Sequence, residues 1–158
     1  MRKTVVLNVL VLAIALSFNS CKEDDEPTLS TKEYITSNNW KAKSITINPA
    51  YDWYHTGTAI TDLMTDWDDC IKDDLTIFET NGNLCMGSGA IKCEEDENEK
   101  VCSETYTLSE DGKTLIRSEW IVPITIKAIN GKQLVLESLY IDNEVNYTIR
   151  EEYEAVSK

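Results

Sequence analysis

The sequence predicts an all-β domain, an up-and-down eight-stranded antiparallel β-barrel with one or two short helices. Two observations carry that expectation. Eight strand-like runs lie between residues 40 and 153, and every consecutive pair but the first is joined by a short connection, the pattern of a meander closing on itself. Several runs also alternate with period two. In the last, Val145, Tyr147, Ile149 and Tyr153 share one face, while Asn146, Thr148, Arg150 and Glu152 share the other. One apolar and one wet face per strand suits a barrel, which leaves no unpaired edge.

In chain order, residues 1–20 read as a leader. Arg2 and Lys3 precede an apolar run from Val5 to Phe18, broken only by Asn8 and Ser17. A helix needs roughly 20 residues to cross a bilayer, and this run is shorter. It ends in Phe18-Asn19-Ser20-Cys21. Basic, apolar and small-residue zones in that order form a secretory signal. The tetrapeptide resembles the lipobox of Gram-negative lipoproteins, which implies cleavage before Cys21 and acylation of that cysteine. Acyl chains, at about 0.8 kcal/mol per buried methylene, make the membrane the expected partner. Lys22, Glu23, Asp24, Asp25 and Glu26 offer nothing to bury, so 21–29 read as a solvated tether. The acidic run also resembles the short signals that send some lipoproteins to the outer face of the outer membrane. The expected address is therefore the outer membrane of a Gram-negative bacterium.

Residues 30–158 remain for the folded domain, enough for one core. Ser30 and Glu33 have capping-box spacing and start a short helix that runs to about Ser37. Residues 40–47 alternate as the first strand, and 48–57 form an aromatic-rich loop carrying Tyr51, Trp53, Tyr54 and His55. Ala59, Ile60, Leu63, Met64 and Trp67 recur at near-helical spacing, which predicts a second helix over 61–68. Strands follow at 72–80, 83–93, 103–109, 113–118, 120–129, 133–141 and 145–153. Their turns include Asn81-Gly82, Asp111-Gly112 and Asn130-Gly131. Pro123 belongs at a bulge or a strand start.

With Cys21 acylated, Cys70, Cys85, Cys93 and Cys102 remain. No CxxC occurs and His55 is the one histidine, so disulfides outside the cytoplasm are the expected use. Read as a two-residue type I′ turn, Asn81-Gly82 pairs Thr80 with Asn83. The same register sets Cys70 opposite Cys93, within reach of a disulfide. Cys85 then faces Phe78, and plain hairpin geometry keeps it from Cys102 unless Gly87-Ser88-Gly89 carries a bulge.

The spacing of Trp40, Cys70, Phe78, Gly82 and Cys93, with Tyr106-Thr107-Leu108-Ser109 and Asp111-Gly112-Lys113-Thr114-Leu115 after them, resembles the lipocalin-like domains of bacterial lipoproteins. The likeness covers about residues 38–153. It implies the barrel, and a late arginine stacked on the first-strand tryptophan. Arg150 over Trp40 is the candidate, although it alternates out of phase with Tyr147 and Ile149. The resemblance leaves the ligand open.

Composition and motifs narrow the function classes. The 15 Lys and Arg face 28 Asp and Glu, a net charge of −13, and losing Arg2 and Lys3 with the leader makes the remainder more acidic. A nucleic-acid partner needs a basic face, which this chain lacks. No nucleophile elbow, P-loop, zinc-protease helix or dinucleotide fingerprint occurs, so no catalytic residue, metal or cofactor is expected. Asp62, Asp66, Asp68, Asp69, Asp73 and Asp74 lack calcium-loop spacing and read as a solvated face. Two functions stay open. In one, the barrel binds a small hydrophobic molecule, with Tyr147, Ile149 and Tyr153 projecting inward and Trp53 and Trp67 near the open end. In the other, it is a non-catalytic envelope or surface interaction module filled by its own side chains.

Overall fold

A computed structural model describes residues 29–120 and 122–158. Cys21, the leader and the tether up to residue 28 lie outside the described residues.

The capping box forms as its spacing requires. Ser30 Oγ accepts the Glu33 N–H at 3.2 Å, and the Glu33 carboxylate accepts the Ser30 N–H at 2.7 Å, starting α1 (Thr31–Ser37). This helix buries Ile35 completely, and the Ile35 carbonyl accepts the Trp40 indole N–H at 2.9 Å. The chain thus enters β1 (Asn39–Tyr51) with Trp40 locked over one end of the barrel. A three-residue strand, β2 (Ile60–Asp62), pairs with β1, and α2 (Asp69–Asp73) follows.

The remaining strands are β3 (Leu75–Phe78), β4 (Asn83–Gly87), β5 (Lys100–Leu108), β6 (Thr114–Arg117), β7 (Ile124–Ile129), β8 (Gln133–Asp142) and β9 (Val145–Val156). From β3 onward each lies antiparallel beside the next, β3 pairs with β1, and β9 returns to β1. With β2 as a short outer addition, the circuit is a closed eight-stranded antiparallel β-barrel with two short helices, consistent with a lipocalin-like fold. The closed end is filled. Trp40, Phe78, Leu115, Leu134 and Leu136 have no exposure, and Phe78 meets Tyr106 edge-on at 5.0 Å. Each such side chain contributes about 1.5–3 kcal/mol by burial.

Four expectations need correction. The residues predicted as helix 61–68 instead supply part of β2 and a turn, because Leu63 N–H donates to the Ile45 carbonyl at 2.8 Å and draws the segment onto β1. The helix forms next door, as α2. Asn81-Gly82 is not a type I′ turn, since Gly82 has positive φ but Asn81 does not. Gly82 N–H donates to Glu79 O, Glu79 N–H donates to Asn83 O, and Gly82 takes φ 93°. That is a three-residue loop with a glycine bulge, and it shifts the register by one, setting Cys85 opposite Ile77. Type I′ geometry occurs instead at Asn143-Glu144, where both φ values are positive.

The Cys70–Cys93 disulfide forms, but between α2 and the loop after β4 rather than across a ladder. Cys85 and Cys102, expected apart, are direct partners across β4 and β5 with Cα atoms 4.0 Å apart, and form a second disulfide. The bulge that allows it lies at Leu84/Cys85. Pro123 sits just before β7, at a strand start.

Candidate functional site

The closed half of the barrel is solid; the open half holds a cavity of about 320 Å3. Its floor comes from inward positions of strands: Ala42 and Ile45 on β1, Arg117 on β6, and Ile149, Glu151 and Tyr153 on β9. Its mouth is aromatic, formed by Trp53, Tyr54, Trp67 and Trp120. Two of these rings are held in place. Trp67 Nε1 donates to the Tyr54 hydroxyl at 3.2 Å, and that hydroxyl donates to the Leu63 carbonyl at 2.8 Å. The connection after β1 is therefore a fixed rim, shaped by β2 docking.

A polar group crosses the lumen. Arg117 and Glu151 stand on strands separated by β7 and β8, and Arg117 Nη2 donates to Glu151 Oε2 at 3.2 Å. The same oxygen accepts the Tyr153 hydroxyl. The Arg117 and Glu151 side chains are only 15% and 12% exposed. An ion pair so enclosed loses most of its hydration, and its attraction seldom exceeds that loss by much. Burial first, and the Glu151 charge second, push the Tyr153 phenol well above its usual range. Asp74 lines the same cavity, and burial, then the charge of Glu97, raise its carboxyl above the usual carboxylate value. Three shielded polar atoms have no hydrogen-bond partner among the described residues: Asp74 Oδ1, Glu104 Oε2 and Arg117 Nε. Two of the three belong to residues that line the cavity.

Four of the five residues expected to touch a ligand, Trp53, Trp67, Ile149 and Tyr153, line this cavity. Tyr147 does not. It packs on Tyr51 with ring centroids 4.8 Å apart, in a group with Tyr140 that Tyr51 ties to Asp142 at 3.1 Å. The displacement follows from β1 running on to Tyr51 instead of stopping near Ile47, which fills the space beside Tyr147. Arg150 does not stack on Trp40; its guanidinium donates to Glu152 at 2.8 Å. Asp73 and Asp74 are half-buried rather than part of a solvated face. Asp73 pairs with Lys41 and accepts the Ile91 N–H at 2.9 Å, tying α2 to β1 and to the loop after β4. That loop can lie so close only because residue 89 is glycine, since a Cβ there would meet Asp73 at 2.3 Å.

Sequence reasoning passed over Arg117 and Glu151. The signal was present: Glu151 falls in the same phase as Tyr147, Ile149 and Tyr153, an acid at an inward position. No protein-family model matches the chain, and no curated protein matches it.

Proposed function

We propose that this chain is a lipid-anchored envelope lipoprotein whose lipocalin-like barrel binds one small hydrophobic molecule without catalysing a reaction. The observation that carries the reading is the cavity: about 320 Å3, apolar on most of its wall, with a polar pair from β6 and β9 that meets across the lumen. Ligand sites occupy roughly 300–1,000 Å3 and combine apolar lining with a few fixed polar groups. The anchor rests on the leader and Cys21, with the outer membrane as the address.

The interaction-module reading has one observation in its favour. Trp120, Val122, Leu139 and Ile141 form an exposed apolar strip beside the mouth, with Ile141 60% exposed. Titration separates the two. Tryptophan fluorescence is expected to respond saturably to members of a broad apolar library that includes fatty acids, and Trp67→Ala to weaken the response while leaving the melting temperature close to wild type. A flat titration across the library favours the module.

A further inference from the structure

Three ionisable side chains line the cavity, Arg117, Glu151 and Asp74, and they are not equally paired. Its cation, Arg117, is already neutralised by Glu151, which the Tyr153 hydroxyl also satisfies. A ligand carboxylate would enter beside two acids, Glu151 and Asp74, with the shielded Nε of Arg117 as the one guanidinium donor shown without a partner. Asp74 is the other lining charge, and it makes no ion pair among the described residues. One of its oxygens is shielded and unpartnered. The mouth of the same cavity presents three indoles and a phenol, the ring types that attract a cation to their faces. The chain's net charge of −13 draws cations toward any opening and repels anions.

We propose that the occupant is a small organic cation: an apolar, aromatic-sized body bearing one protonated amine, its charge set against Asp74 and the rim indoles. This assignment rests on the reading of the barrel as a binding site. It sets the ammonium beside the lining carboxylate that makes no ion pair among the described residues, in a cavity whose mouth is aromatic. The apolar body fills the space above Ala42, Ile45 and Ile149.

Three near-isosteric probes separate charge from apolarity: phenethylamine, phenethyl alcohol and phenylacetate. Each is titrated at neutral pH into the full-length chain in neutral-lipid nanodiscs, with empty discs as the blank and tryptophan emission as the readout. The amine is expected to bind about tenfold more tightly than the alcohol, and phenylacetate more weakly than either. Asp74→Asn should bring the amine's affinity down to about the alcohol's, while Asp74→Glu should keep the amine's advantage. If Asp74→Asn fails to fold, Trp120→Leu should weaken the amine several-fold more than the alcohol. Equal affinity for amine and alcohol, or tighter binding of phenylacetate, overturns the cation assignment and leaves the hydrophobic binder intact. Silence with all three overturns the assignment too, and the broad library titration then decides the binding reading on its own.

Discussion

Asp73 and Asp74 are neighbours in sequence with opposite electrostatic fates. The Lys41 ammonium first, and the Ile91 N–H next, hold the Asp73 carboxyl below its usual value. Folding therefore favours its ionised form. That contribution is complete above the unfolded value near pH 4 and is lost as pH falls through the lower folded value. Burial raises Asp74, so folding favours its protonated form. Its contribution is present in acid and lost as pH rises through the folded value, which makes ionised Asp74 a liability at neutral pH. Thermal melts from about pH 2 to pH 8 should resolve the two. Asp73→Asn is expected to flatten the acid limb of the stability profile. Asp74→Asn is expected to raise the melting temperature at neutral pH. A profile for Asp74→Asn identical to wild type would show that the carboxyl is not held in a costly environment. A group kept at a cost to stability beside a cavity fits a binding role better than a packing one.

At the scale of elements, the two disulfides serve different purposes. Cys85–Cys102 joins adjacent strands at a bulge, where the ladder hydrogen bonds are interrupted. Cys70–Cys93 pins α2 to the loop after β4, the segment that also carries Asp74 toward the cavity. The residue separations of 17 and 23 are similar, so loop-entropy reasoning assigns each about 3 kcal/mol. Replacing Cys70 and Cys93 together by Ser should lower unfolding free energy in urea by that order and loosen the Asp74 side of the cavity. Non-reducing peptide maps should recover Cys70 with Cys93 and Cys85 with Cys102. A Cys70–Cys85 peptide would contradict both pairings and the β4–β5 register that sets Cys85 against Cys102. The β3–β4 register also shows the limit of turn motifs. Asn-Gly is compatible with more than one loop, and here it closes a three-residue loop with a glycine bulge.

At the scale of the whole molecule, the capped helix and Trp40 close one end, while the aromatic connection after β1 borders an opening at the other. The proposed anchor precedes the closed end through an acidic tether that begins at Cys21. Expressed in a Gram-negative host, the wild-type chain is expected in the membrane pellet after carbonate and salt washes, and Cys21→Ala in the soluble fraction. Retention of the variant in the pellet would refute acylation as the attachment.

The sequence by itself determined the eight strands of the barrel, the meander order and the capped first helix, because period-two alternation, turn residues and a capping box are local signals. It also marked most of the residues around the opening, since aromatics on the long connection after the first strand have few other places to go. The tertiary structure alone decided the rest. Residues 61–68 carry a helical pattern yet pair in part with β1, because a backbone ladder to Ile45 was available. Cys85 met Cys102 because a bulge in the β4–β5 pairing shifts their register by one residue. Arg117 met Glu151 because the sheet closes, bringing strands separated by two others face to face across the lumen. No local pattern encodes a contact of that kind, for it exists only once the barrel has an inside.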